Sequence, residues 1–148
     1  MDTARKGKVT EIVVDEITPD RIKDLFQNEF RHYNYNFFGS YELKKFAMYI
    51  NNDLSELIAG VYGFVLEKYS TMRIEFFWVK EEFRRKGFGR QLQTQLEEYA
   101  ASHKCTQIQV STMEFQGPSF YKKMGYESIG IIPKWFCDKD EIFFVKKI

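Results

Sequence analysis

Two glycines one residue apart, set among basic side chains, mark the stretch best suited to chemistry. The stretch Val79-Lys80-Glu81-Glu82-Phe83-Arg84-Arg85-Lys86-Gly87-Phe88-Gly89-Arg90 follows an apolar, β-prone segment, Met72 to Val79. Behind it, Phe88, Leu92, Leu96, Tyr99, Ala100 and His103 recur at about 3.6 residues, the period of a helix face. The pattern reads as strand, short basic turn, helix. Such a turn aims unpaired backbone N–H groups and the positive end of a helix dipole at one point. Gly87 and Gly89 lack a Cβ, so a ligand can approach the main chain closely. Arg84, Arg85, Lys86 and Arg90 add charge around the same point. The ligand that fits is a phosphate or a diphosphate.

Other glycine signatures fit less well. A P-loop needs four residues between its glycines and then Lys-Ser/Thr, and a dinucleotide fingerprint needs a third glycine where Leu92 stands. Lys86-Gly87-Phe88-Gly89 does open like the RNA-recognition strand motif. It continues, however, as Arg90-Gln91-Leu92-Gln93-Thr94-Gln95-Leu96-Glu97-Glu98, which is helical in pattern. A surface turn carrying solvated arginines is the plain structural alternative.

Arg84-x-x-Gly87-x-Gly89 between strand and helix resembles the acetyl-CoA signature of the GCN5-related N-acetyltransferase (GNAT) superfamily. A later block, Phe115-Gln116-Gly117-Pro118-Ser119-Phe120-Tyr121-Lys122-Lys123-Met124-Gly125-Tyr126, resembles that superfamily's Phe/Leu-Tyr-x-Lys-x-Gly-Phe/Tyr motif. Ile74-Glu75 through Val79, with Phe115-Gln116, further resembles a group of small bacterial members. The resemblance covers roughly residues 55–148 well and the first third in outline. It implies an α/β fold: a mixed, mostly antiparallel sheet with flanking helices, splayed between its fourth and fifth strands to hold the cofactor. It implies acetyl-CoA as co-substrate and Trp78, Val79, Arg84, Arg85, Lys86, Gly87, Phe88, Gly89 and Arg90 as the residues beside it.

Direct acetylation of an amine by a thioester needs a neutral amine, stabilisation of the charge that builds on the carbonyl oxygen, and a proton for the leaving thiolate. The resemblance gives the last task to Tyr121, since a tyrosine with a pKa near ~10 stays protonated at neutral pH. Residue type alone reads Tyr121 as packing beside Phe120 and Met124. The superfamily aims a backbone N–H from a bulged fourth strand at the acetyl carbonyl, and Val79 stands at the matching position. Glu75 is the best single carboxylate for a base, because it interrupts an apolar strand; on strict alternation it shares a face with Phe77 and Val79. A half-exposed Glu75 paired with a lysine or arginine is the competing reading. His32 and His103 are placed poorly for a base. Cys105 reads as a small buried hydrophobe, Cys137 as a loop residue, and no metal-ligand spacing occurs, so no metal is expected. Glu114 and Gly117 stand where superfamily members often have Asn and Ala.

Bulk properties agree. The chain has 148 residues, 44% hydrophobic, enough for one α/β domain with a single core over residues 1–148. Basic residues number 22 and acidic 21, so charge is local and no nucleic-acid surface is implied. Two cysteines and an N-terminus without an apolar run suggest a reduced, cytoplasmic protein without a membrane partner.

In order, Val9 to Ile17 reads as a first strand, and Thr18-Pro19-Asp20 starts a helix with Ile22, Leu25, Phe26 and Phe30 on one face. Arg31 to Ser40 breaks that period and reads as a loop or a short second helix. Tyr41 to Ile50 and Glu56 to Lys68 are strands joined by a turn at Asn51-Asn52-Asp53. After the glycine helix come a strand from Thr106 to Thr112, a short helix from Pro118 to Met124, and closing strands from Tyr126 to Ile132 and Glu141 to Lys147. The resemblance implies an acceptor side built from the Tyr33–Phe38 region and the loop before the last strand, which holds Trp135 and Phe136 with Asp138, Asp140 and Glu141. Aromatic rings beside carboxylates suit an ammonium on an apolar body; clustered aromatics equally suit a homodimer contact. The expectation is an acetyl-CoA-dependent N-acetyltransferase acting on a small-molecule or peptide amine. A non-catalytic CoA-binding or RNA-binding module is the alternative.

Overall fold

The computed structural model describes residues 12–148. Within this range the chain divides into two units, meeting between Ser40 and Tyr41. The first holds one helix, α1 (Pro19–Phe38), with Pro19 in its opening turn, where a missing N–H costs nothing. Residues 12–17 form no strand; the rest of the Val9–Ile17 expectation lies outside the described residues. The cause is local. Asp15 accepts hydrogen bonds from the N–H groups of Ile17 and Thr18 and from the Thr18 hydroxyl, at 2.8–2.9 Å, and bends the chain. These bonds hold the Asp15 carboxyl below its usual pKa. The Arg31–Phe38 segment is neither loop nor second helix but a continuation of α1. Aromatic rings one turn apart support it, with Tyr33 and Phe37 centroids at 5.7 Å. It stops at Gly39, whose N–H bonds the Tyr35 carbonyl at 2.8 Å.

The second unit is a six-stranded mixed sheet in the order β1-β2-β3-β4-β6-β5. Its strands are β1 (Lys44–Asn51), β2 (Leu57–Leu66), β3 (Thr71–Val79), β4 (Gln107–Met113), β5 (Glu127–Phe136) and β6 (Lys139–Lys147). Helix α2 (Phe88–Ser102) crosses from β3 to β4, and α3 (Pro118–Lys123) links β4 to β5. All neighbours pair antiparallel except β3 and β4, the parallel pair that the α2 crossover requires. At the β1–β2 turn, Asn52 Oδ1 accepts from the N–H of Leu54 and of Glu56. Strand β5 runs further than its sequence suggests, past Pro133 to Phe136, because Cys137 and Asp138 both adopt positive φ and make a tight hairpin. Proline cannot donate to the ladder, and the β5–β6 register slips between Ile132 and Phe136.

Helix α2 packs one face on the sheet. Leu92, Leu96 and Ala100 are buried against Val61, Met72, Ile74 and Ile108, while Phe88 and Tyr99 flank them. Burying Leu96 completely contributes roughly 2 kcal/mol. Cys105 sits in this core, where burial pushes its thiol pKa up. Tyr121, Met124, Tyr126 and Phe144 carry the core under α3, so the fold holds both short motifs against one apolar body.

Candidate active site

Strands β3 and β4 pair only from Thr71–Arg73 to Gln107–Gln109 and then part. The opening is a cleft of ≈ 900 Å³. One wall is β3 from Glu75 to Val79 and the glycine turn; the other is Val110 to Thr112, the turn at Phe115 to Gly117, and α3. The splay expected between the fourth and fifth strands is therefore the β3–β4 gap.

A bulge reshapes the β3 wall. Tyr62 pairs with Phe76 but Gly63 with Ile74, which leaves Glu75 as the extra residue. Strict alternation consequently fails. Met72 and Ile74 face the core before the bulge, and Phe77 and Val79 face it afterwards, opposite Val61 and Ala59. Glu75 does not share their face by alternation; it stands exposed at the bulge, beside exposed Phe76. The close approach needs Gly63, whose hypothetical Cβ would lie 2.1 Å from the Arg73 carbonyl oxygen. The bulge lies at Glu75 and not at Val79, which stays paired with Ala59. The Lys80 N–H bonds the Ile58 carbonyl on β2. In an antiparallel ladder, alternate residues turn their polar groups the other way, so Phe77 and Val79 aim N–H and C=O toward the gap.

The turn after β3 is built to present backbone. Glu81–Phe83 make one 3₁₀ turn, Arg84 is extended, and Arg85 takes φ 59°. Gly87, at φ 92°, precedes α2 and offers no side-chain cap. The Gln91 N–H bonds back to the Gly87 carbonyl, so the first-turn N–H groups of Phe88, Gly89 and Arg90 have no helical acceptor. A Cβ on Gly87 would meet nothing within 4 Å. That open cradle of donors, with no acidic residue in the first turn and with Arg85 and Arg90 alongside, fits a diphosphate.

Of the residues expected beside the cofactor, Trp78, Val79, Arg84, Arg85, Gly87, Gly89 and Arg90 line the cleft. Lys86 and Phe88 do not. The Lys86 ammonium lies over the Phe83 ring at 5.2 Å, and Phe88 packs on Phe83 and the core. Phe88 also opens a helix, so Lys86-Gly87-Phe88-Gly89 forms no RNA-binding strand. Tyr121 is 7% exposed and lines the cleft. Its ring packs on Phe77, Phe120, Tyr126 and Phe144, and burial pushes its pKa to about 12.

Sequence reading missed Phe76, Ser111, Phe115 and Gln116, which also line the gap. Gln116 Oε1 accepts from the Met113 N–H at 3.0 Å and shapes the turn leaving β4. Phe115 and Gln116 stood at the head of the second motif without being read as part of the site, and nothing in the sequence singled out Phe76 or Ser111. Glu114 is turned to Lys139 at 3.2 Å. His103 caps the far end of α2 and pairs with Glu67, whose carboxyl it holds below its usual pKa. Trp135, Phe136, Asp138, Asp140 and Glu141 belong to the β5–β6 hairpin and are not in the cleft lining. Tyr33 to Phe38 belong to α1 in the first unit. Among the described residues, no group of three or more His, Cys, Asp or Glu could hold a metal, and no helix is long and apolar enough to cross a membrane.

Known proteins are similar to this chain in sequence and fold. A blasticidin-S acetyltransferase of Streptomyces morookaense is 31% identical over 94 residues, 63% of this chain and 68% of that protein. The crystal structure of an acetyltransferase from Bacillus cereus ATCC 14579 is similar at TM-score 0.82 and 25% identity, covering 93% of this chain and 98% of that one. A candidate streptothricin acetyltransferase from Bacillus anthracis str. Ames, solved with acetyl coenzyme A, reaches TM-score 0.62 at 17% identity over 77% of this chain and 68% of that one. The family model described as acetyltransferase (GNAT) family matches residues 11–126. The chain belongs to the acetyltransferase (GNAT) family and is an N-acetyltransferase.

Proposed function

We propose that the protein transfers the acetyl group of acetyl-CoA directly to a primary amine of a small molecule, through the gap between β3 and β4. The observation that carries this reading is the gap itself, with a diphosphate cradle on one wall and Tyr121 on the other. The bound co-substrate supplies an activated acetyl thioester. The first-turn N–H groups of α2, with Arg85 and Arg90, hold the diphosphate. The Phe77 main-chain groups and the Val79 N–H, freed where β4 departs, bind amides along the gap, and the N–H groups stabilise charge on a carbonyl oxygen. Tyr121 holds its proton through the neutral range, so it can donate to the leaving sulfur. Glu75 receives the acceptor ammonium and takes up its proton.

The acceptor class follows from the other residues at the bulge. Exposed Phe76 and Phe115 and half-exposed Trp78 surround the same opening as the Glu75 carboxylate, which suits a cationic amine on an apolar or flat body. The relative named for blasticidin-S supports a small molecule over a protein acceptor. The direct test is free-CoA release from acetyl-CoA with a panel of amines. Turnover should need both substrates, and cationic amines should outpace acidic ones. Ping-pong kinetics with an isolable acetyl-enzyme would overturn direct transfer.

A further inference from the structure

The polar contacts under α3 form a connected set that the reaction just described does not use. Gln93, in the middle of α2, is 2% exposed. Its Nε2 donates to Glu97 Oε1 at 2.9 Å, and the Tyr126 hydroxyl lies 3.0 Å from Nε2 and 3.2 Å from Oε1. Gln93 and Glu97 are one helical turn apart and so share a face. From β6, Lys146 Nζ donates to the same Glu97 oxygen at 2.5 Å and to the Met124 carbonyl, just past the end of α3, at 2.7 Å. It also lies 6.0 Å from the centre of the Tyr126 ring. A buried amide and a half-buried ion pair are costly to desolvate, and they persist here because their bonding is shared among four side chains.

The geometry points to Gln93, Tyr126, Glu97 and Lys146 as positioning residues for Tyr121, on the reading that Tyr121 is the proton donor. Tyr121 is held by rings and by its own main chain: Tyr126 donates its N–H to the Tyr121 carbonyl at 3.0 Å, and the two rings meet edge to face at 5.4 Å. Whatever fixes Tyr126 therefore fixes Tyr121. Gln93 grips Tyr126 from α2, and Lys146 grips the end of α3. Helix α2 is also the helix whose first turn forms the diphosphate cradle. The bracket thus sets the spacing between the point where the co-substrate is anchored and the hydroxyl that protonates its sulfur. A proton transfer tolerates little error in that spacing, because the donor must come within hydrogen-bond reach. Simple packing explains an apolar contact between α2 and α3; it does not call for a buried amide aligned on a tyrosine hydroxyl.

The test compares Tyr126→Phe and Gln93→Leu, each alone and each combined with Tyr121→Phe, in the whole chain. Each single change should lower kcat about tenfold, leave KM for acetyl-CoA within about twofold, and add no further loss in the Tyr121→Phe background. Tyr126→Phe removes one hydroxyl and keeps the ring, so it carries the experiment if Gln93→Leu does not fold. Losses that multiply fully with that of Tyr121→Phe would overturn the bracket alone, leaving Tyr121 as donor. So would single variants that lower Tm while kcat, measured below their Tm, stays at the parent value. If Tyr121→Phe itself leaves a rate-limiting chemical step untouched, the donor reading and the bracket both fall.

Discussion

The Nε of Arg84 donates to the Val79 carbonyl oxygen at 2.9 Å, pinning the basic turn to the strand it follows. Arg84 thus shapes the turn as well as adding charge to it. Arg84→Ala should raise the acetyl-CoA Kd about tenfold, the scale of a charge-assisted hydrogen bond. Most of that loss should persist at high salt. Arg85→Ala removes a charge without such a bond, and its loss should shrink as salt rises. Titrations at low and high ionic strength separate the two, and identical salt slopes would return Arg84 to a purely electrostatic role.

The two glycines of the turn, alike in sequence, differ in surroundings. At Gly87 a Cβ has open space but the backbone sits at φ 92°; at Gly89 a Cβ would lie 3.0 Å from the Phe120 ring. Gly87→Ala should cost roughly 1–2 kcal/mol of backbone strain, and larger side chains there should further weaken acetyl-CoA binding. Gly89→Ala should push on Phe120, which packs on Phe77 and Tyr121, and so reduce kcat more than affinity. Melting curves, Kd and kcat for both variants check this; equal effects on all three would remove the distinction.

The two motifs were legible because each joins a conformational demand to a chemical one: glycine and arginine at a helix start, tyrosine before a helix-ending glycine. The alternating apolar residues of β2 and the periodic face of α2 likewise announced their elements. What stayed hidden depends on partners far along the chain. The bulge at Glu75 exists only because Gly63 lets the Arg73 carbonyl approach, a relation between two strands that neither strand shows alone. The continuation of α1 through Arg31–Phe38 was masked by aromatic and asparagine residues of weak helix propensity, which ring pairing one turn apart offsets. Phe76 and Ser111 entered the site because the sheet opens beside them, and no local pattern encodes that opening.

Burial gives Tyr121 an alkaline signature. Its pKa rises from the model-compound value of 10.0 to about 12, by desolvation of the phenolate. An unfolded tyrosine ionises first, so the stability linked to the protonated ring is complete below pH 10 and is lost as pH rises through 12. Tyr126 is raised in the same direction, by burial first. Alkaline melting curves should show stability falling above pH 10, and Tyr121→Phe should flatten part of that fall. At neutral pH the same substitution should lower kcat by about a factor of 10²–10⁴, with acetyl-CoA affinity unchanged. A parent-like kcat with chemistry rate-limiting would return Tyr121 to packing.

On the proposed reading, acceptor choice rests on Glu75 and the rings beside it. The bulge leaves Glu75 exposed in the cleft, next to Phe76, whose ring lies 6.2 Å from that of Tyr62. A carboxylate there attracts an ammonium and, once the amine is bound, can receive its proton. Glu75→Gln keeps the shape and removes the charge. It should raise KM for cationic acceptors about tenfold while leaving that for acetyl-CoA within about twofold, since only the acceptor interaction changes. The kcat of the same variant should fall if Glu75 also accepts the proton and hold if it only attracts the amine. Phe76→Ala should raise acceptor KM without altering the pH dependence of kcat. Trp135→Ala, on the hairpin and absent from the cleft lining, serves as the control. If Trp135→Ala raises acceptor KM and Glu75→Gln does not, the acceptor is selected at the β5–β6 hairpin and the bulge serves only the geometry of the strand.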